Sequence, residues 1–318
     1  MSIIEQAVKR LDELKQAGVE IPDKRVEPVD ASTIERAAAL GDALPEPPRT
    51  HAEAPAHPGQ DISRRVDIDL ERLARAGFVS SDVARSRVAD EFRVIKRPII
   101  ANAIGKGAAP IHNGNLVMVT SAFPGEGKSF TALNLAMSIA MELDNTVLLV
   151  DADVARPSVL NLLGLPPAKG LMDILLEPSL DLSQVLLRTN IEKLTILPAG
   201  MSHQRATELL ASDGMARLVE EMASRYPDRI IIFDSPPLLV TTEARVLASH
   251  MGQIVLVVEA ERTSHASVKQ ALTTVEACPV KLMTLNKARH SGDGGYYGYG
   301  YGYGYGGYSY GAASASRN

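Results

Sequence analysis

The 318-residue chain has no tryptophan, five phenylalanines and one cysteine, Cys278. Its core must therefore be aliphatic. No internal disulfide is possible, which fits a reducing compartment. No apolar run approaches the roughly 20 residues that cross a bilayer, and the first residues carry no hydrophobic leader region. A basic excess is also missing. The 33 Lys and Arg stand against 38 Asp and Glu, a net charge of −5. That balance argues against general polyanion binding, so no nucleic-acid partner is expected. The expected setting is cytoplasmic, with any membrane association supplied by a partner. The length allows one large domain or two.

The chemistry gathers around one stretch, Leu116 to Met141, which reads as strand, loop and helix. The loop AFPGEGKS, Ala122–Ser129, nearly matches G-x-x-x-x-G-K-[ST], with Ala122 in place of the first glycine. Gly125 and Gly127 allow the backbone to curl so that N–H groups face phosphate oxygens. The helix start adds partial positive charge. Gly125, Glu126, Gly127, Lys128, Ser129 and Phe130 form the candidate phosphate cradle. Lys128 is placed to reach the β- and γ-phosphates, and Ser129 to offer its hydroxyl to Mg²⁺.

Around this stretch the composition divides the chain. Residues 1–19 hold an amphipathic helix: Ser2 and Glu5 make a capping box, and Ile3, Ile4, Ala7, Val8, Leu11 and Leu14 recur at helical spacing. Residues 20–60 are proline-interrupted and poor in apolar side chains, and are expected to be a flexible linker. A folded domain is expected over 61–287. Within it, Val66, Ile68, Leu70, Leu73 and Phe78 read as docking structure. Ser80–Lys96 reads as a basic helix ended by Pro98. Strands are expected at Leu116–Thr120, Thr146–Asp151, Leu194–Leu197, Arg229–Asp234, Ile254–Glu259 and Val280–Leu285. Their lack of polar alternation predicts burial on both faces. Intervening helices at Thr131–Leu143, Gly214–Arg225, Thr242–His250 and Ser264–Ala277 imply an α/β fold, a mostly parallel sheet with helices on both faces. Ligands bind such sheets beyond the C-terminal strand ends.

Residues 288–318 differ in kind. Eight of the nine tyrosines lie there, Tyr296, Tyr297, Tyr299, Tyr301, Tyr303, Tyr305, Tyr308 and Tyr310, most separated by glycine. Such a segment has little to pack and is costly to order, so it is expected to be disordered. As a coil of about 24 residues its root-mean-square reach is roughly 25–30 Å.

Acidic residues end two expected strands: Asp151-Ala152-Asp153, with Arg156 close behind, and Asp234 in DSPP. Aspartates at strand ends overlie the ligand edge of the sheet and can hold Mg²⁺. A single one is often only a helix cap or turn former. Together with Lys128 and Ser129 they complete a phosphoryl-transfer set.

The combination of AFPGEGKS, VLLVDADVARPS, IIIFDSPP and a C-terminal tyrosine cluster resembles the bacterial tyrosine kinases, closest to the autokinases of exopolysaccharide and exosortase loci. LPAG at Leu197–Gly200 and ELL at Glu208–Leu210 add to the likeness. The resemblance implies a P-loop NTPase-like fold, and ATP and Mg²⁺ as cofactors. It implies tyrosine autophosphorylation of the tail in trans, regulating exopolysaccharide synthesis. By the same likeness Lys128, Asp151 and Asp153 are catalytic, with Asp151 the candidate base. Ser129, Asp153 and Asp234 hold the metal, Arg156 contacts phosphate or orders the acidic pair, and Asn286 reads adenine or forms a turn. Three partners are implied: a membrane-bound polysaccharide chain-length regulator that recruits and activates the kinase at the inner membrane face, a protein-tyrosine phosphatase, and further copies of the chain. The oligomer would form through Asp90, Arg93 and Lys96, where the family has E-x-x-R-x-x-R. After LPAG, MSHQRAT replaces a proline-rich stretch, and His203 and Arg205 are expected in an exposed loop. The rival enzyme is a partition- or division-site ATPase, but Phe123 stands where its signature lysine belongs. A nucleotide-binding regulatory protein without activity is the third possibility.

Overall fold

A computed structural model describes residues 63–79, 86–225 and 228–288. The expected N-terminal helix, the proline-rich segment and the tail tyrosines lie outside the described residues. The strands are β1 (Arg64–Val66), β2 (Leu116–Ser121), β3 (Thr146–Asp151), β4 (Leu187–Thr189), β5 (Leu194–Leu197), β6 (Arg229–Asp234), β7 (Gln253–Glu259) and β8 (Val280–Asn286). Among the described residues they form one eight-stranded sheet in the order β1-β4-β5-β3-β6-β2-β7-β8. Every neighbouring pair is parallel except the β4–β5 hairpin.

Side-chain alternation explains the two-sided core. Leu116, Met118, Leu148, Val150, Ile231 and Phe233 face one layer, where α4 (Asp213–Arg225), α5 (Glu243–Ala248) and α6 (His265–Thr274) pack. Val117, Val119, Val147, Leu149, Ile230 and Ile232 face the other, which is covered by α2 (Arg87–Ala103) and α3 (Lys128–Ala140). Helix α3 lies between the sheet and α2, so it is apolar nearly all round. Its buried Asn134 is satisfied: Oδ1 accepts from the Val79 N–H at 2.6 Å and Nδ2 donates to the Phe130 carbonyl at 2.8 Å.

Three expectations need correction. First, residues 63–79, read within the domain as docking structure, add a strand to the sheet itself. Strand β1 pairs with β4, the short helix α1 (Leu70–Arg75) follows, and Val66, Ile68, Leu73 and Phe78 enter the core. Both β1 and β4 span three residues, too few to show a period. Second, β8 is an edge strand whose residues alternate in exposure, leaving Met283 and Leu285 on the open side. Third, Pro98 does not end α2, which continues to Ala103. A proline inside a helix costs about 3 kcal/mol, and tertiary contacts on both sides of it offset that. Ile99 is fully buried, and Gln253 Nε2 donates to the Ile99 carbonyl at 3.0 Å. One turn earlier, Lys96 points inward, 3 % exposed, and donates to the Ser138 carbonyl at 2.6 Å beside Glu142 Oε1 at 2.7 Å. Lys96 is therefore part of the core and not of a basic outer face. Asp90 and Arg93 remain at the surface, paired with each other.

The Lys96–Glu142 pair yields a testable asymmetry. Glu142→Ala leaves a buried ammonium with one carbonyl partner and is expected to cost about 1–3 kcal/mol, whereas Lys96→Met should stay within about 1 kcal/mol of the unmutated chain. Urea midpoints measure both; equal losses would contradict this account.

Candidate active site

The loop after β2 is shaped by two left-handed glycines, Gly125 (φ 86°) and Gly127 (φ 102°). A Cβ on Gly127 would also collide with Asn286 Nδ2. Ala122, in contrast, does not have a left-handed backbone and is buried, so the missing first glycine costs nothing. The loop carbonyls are turned away from the cradle by the end of β8. Asn286 Nδ2 donates to the Glu126 carbonyl at 2.9 Å, and Lys287 Nζ to the Gly125 carbonyl at 2.7 Å. Holding these carbonyls outward fixes the orientation of the adjoining N–H groups, the geometry of an anion nest. Glu126 is a strut: it is 2 % exposed, and its carboxylate accepts from the Phe123 N–H at 2.8 Å and from the Thr263 hydroxyl. Phe130 sends its ring toward Phe78, with centroids 4.9 Å apart. Only the backbones of Glu126 and Phe130 are thus available to a phosphate.

Beyond the loop, register brings the acids together. Asp151 on β3 is paired in register with Asp234 on β6, and Val119 on β2 with Asp234. Lys128 Nζ lies 2.7 Å from Asp153 Oδ2, 3.5 Å from Ser129 Oγ and 3.9 Å from Asp234 Oδ1. Asp151 Oδ2 accepts the Ser158 and Val159 N–H groups, both at 3.0 Å. Two carboxylate oxygens, Asp151 Oδ1 and Asp234 Oδ1, are buried without a hydrogen-bond partner. Arg156 donates its backbone N–H to Asp153 Oδ1 at 3.2 Å while its side chain is exposed. His203 and Arg205 lie in a surface loop, where the Arg205 N–H donates to His203 Nδ1.

Sequence reasoning missed Ser158. Its Oγ donates to Ser129 Oγ at 2.9 Å and to Asp234 Oδ2 at 3.5 Å, and its N–H caps Asp151. Lys287 and Thr263, which brace the loop, were missed as well. Their signal is purely spatial, since Thr263 acts from 137 residues away.

Three buried carboxylates face one ammonium, an arrangement short of positive charge. The orphaned Asp234 oxygen, the Asp153 carboxylate and the hydroxyl of Ser129 fit a hard divalent cation. Among the described residues no three acidic, His or Cys side chains form a self-sufficient metal cage. Mg²⁺ commonly takes one or two carboxylates from a protein and completes its shell with phosphate and water. The nest, the start of α3 and Lys128 fit the phosphates themselves.

Sheet, loop and strand-end acids define a P-loop NTPase-like α/β protein. A family model described as an AAA domain matches residues 115–287. The tyrosine-protein kinase YwqD of Bacillus subtilis is 36% identical over 186 residues, covering 57% of this chain and 77% of that protein. The succinoglycan biosynthesis transport protein ExoP of Rhizobium meliloti is 34% identical over 208 residues, 64% of this chain but only 25% of that longer protein. The crystal structure of the chimerical protein CapA2B2 aligns over 68% of this chain and 92% of its own, at 26% identity and a TM-score of 0.55. The chain belongs to the AAA-domain family and, within it, to the bacterial tyrosine-protein kinases.

The acids predict a pH signature. Burial, reinforced by the Asp234 charge, raises Asp151 to about 7. Burial raises Asp234 to about 6 against the pull of Lys128 and Ser129. The folded state therefore keeps protons that the unfolded chain releases, and nucleotide-free stability falls as pH rises from about 4 to about 7. Asp151→Asn should recover on the order of 2 kcal/mol at pH 8 and nothing near pH 4. Denaturant midpoints across that range check it; a gain independent of pH would contradict it.

Proposed function

We propose that this kinase is an ATP-dependent, Mg²⁺-requiring autokinase that phosphorylates its own tail tyrosines, Tyr296 to Tyr310, in trans. The observation that carries the proposal is the Lys128–Asp153–Asp234–Ser129 cluster at the mouth of the P-loop, with Asp151 beside it. Bound MgATP supplies the transferable γ-phosphoryl group and the charge neutralisation that phosphoryl transfer needs. Lys128 exchanges its Asp153 contact for phosphate oxygens, which frees Asp153 Oδ2 for the cation. Ser129 and Asp234 are the other residues that would hold it. Asp151 Oδ1 accepts the proton of the tyrosine hydroxyl as that oxygen bonds to phosphorus and ADP departs.

The exopolysaccharide setting enters by likeness to ExoP, a succinoglycan biosynthesis transport protein. Among the described residues no helix is long and apolar enough to cross a membrane. Recruitment to the inner membrane face by the cytoplasmic segment of a chain-length regulator is therefore part of the proposal, with full activity in its company and basal activity alone. A phosphatase resets the tail. Copies of the chain meet through the outer face of α2, where Asp90 and Arg93 lie and from which Lys96 has withdrawn.

Lys128→Met is expected to lower phosphotyrosine formation by about 10²–10³-fold. Mixed with a chain whose eight tail tyrosines are Phe, the Lys128→Met chain should become labelled at a rate that rises with total protein concentration; an unlabelled Lys128→Met chain would exclude transfer in trans. Each phosphate adds about −1.5 to −2 charges. Repulsion between tails and the acidic sites should then lower the oligomer mass seen by light scattering after ATP is added. An unchanged mass at full phosphorylation would exclude that release.

A further inference from the structure

Strand β8 closes one end of the sheet, and its outer edge has no neighbour among the described residues. It pairs with β7 in unbroken register, from Val280 beside Gln253 to Asn286 beside Glu259. The Asn286 carbonyl accepts the Ala260 N–H at 2.9 Å, so Asn286 turns its main-chain groups toward β7. Main-chain direction alternates along a strand, so Lys281, Met283 and Leu285 turn theirs to the open edge. Side chains alternate as well, which leaves Met283 62 % and Leu285 65 % exposed. An edge of this kind, with no proline or bulge and a single lysine inside it, is a template for another strand. Natural sheets cover such an edge.

The chain that leaves this edge carries a matching pattern. Residues 287–295 include Ser291, Gly292, Asp293, Gly294 and Gly295, a run of turn formers. From Tyr297 the alternation is strict: Tyr297, Tyr299, Tyr301, Tyr303 and Tyr305, with a single glycine between each and the next. A period of two puts every ring on one face of an extended strand and bare main chain on the other. We propose that residues 297–305 fold back antiparallel on β8 as a ninth strand, with tyrosine rings over Met283 and Leu285. Directly opposed residues of an antiparallel pair share a face, and aromatic rings opposite apolar side chains stabilise the pairing. On the α2 side Leu282 packs against the core, and the glycine face asks for no space there. Alone, this segment has too little to bury to repay its ordering. The edge supplies both main-chain partners and an apolar surface. Docked tyrosines are withdrawn from any active site, so β8 holds the tail in reserve. Phosphates on Tyr297, Tyr299 and Tyr301 would set like charges side by side on one face and free the strand. That last step rests on the kinase reading; the docking itself does not.

The test follows amide hydrogen exchange in the full chain without nucleotide, resolved by NMR to Lys281, Met283 and Leu285. Docking predicts that these three amides exchange at least about tenfold more slowly than in the Tyr299→Pro/Tyr301→Pro chain, whose tail has lost two donors and two rings. The Leu282 amide faces β7 and should stay protected in both chains, which reports an intact sheet. Met283→Lys with Leu285→Lys removes the apolar surface and should speed exchange at Lys281 to the same extent. Equal exchange of the three amides in the unmutated and proline chains overturns the docking and leaves the kinase reading untouched, since no phosphoryl transfer is measured. Protection that grows with protein concentration overturns it too, because a second copy then covers the edge.

Discussion

Three buried carboxylates share one ammonium, and much of the site's architecture serves that imbalance. Asp151, Asp153 and Asp234 are each under 5 % exposed, and Lys128 contacts two of them. Such a cluster is expensive in an empty protein, because charge is withdrawn from water without full compensation. Burial accordingly pushes Asp151 and Asp234 toward their protonated forms. Cation and phosphates supply opposite charge and ligand oxygens together, so binding relieves the cost. The site is organised for an occupant that carries both.

The remainder of the fold holds these groups in place. Parallel pairing aligns β3 with β6 so that two aspartates end at one level. The loop above them is braced from behind by Glu126, Thr263, Asn286 and Lys287. The last two are the final described residues but one before the chain continues toward its tyrosines, so the root of the tail is hydrogen-bonded to the nucleotide loop. A nest braced in this way needs little reorganisation on binding, which favours electrostatic stabilisation of transferred charge.

Much of this was legible in the sequence, for reasons that differ by element. Strands β2, β3, β5, β6 and β7 announce themselves because both faces are buried and their composition is continuously apolar. The P-loop was legible because phosphate binding demands glycine, lysine and serine at fixed spacing. Strands β1 and β4 were not, since three residues carry no period. Pro98 misled because helix propensity is a local quantity, and Ile99, Lys96 and Gln253 outweigh it from elsewhere in the chain. Ser158 was invisible as a site residue because a serine after a proline has an ordinary turn role, and only the fold sets it between Ser129 and Asp234. Asn286 was singled out for adenine or a turn; its bond to the P-loop carbonyl was not legible, because the two lie 160 residues apart.

The central claim is that the Lys128 and Asp153 cluster delivers phosphate to tyrosine rather than to water. The most direct measurement follows the γ-phosphoryl group: purified chain is incubated with Mg²⁺ and γ-labelled ATP, and label is counted in free phosphate and, by peptide mass spectrometry, in the tail. The account predicts label on tyrosines between Tyr296 and Tyr310, with free phosphate a minor product. Stoichiometric ADP and free phosphate with an unlabelled tail would contradict it.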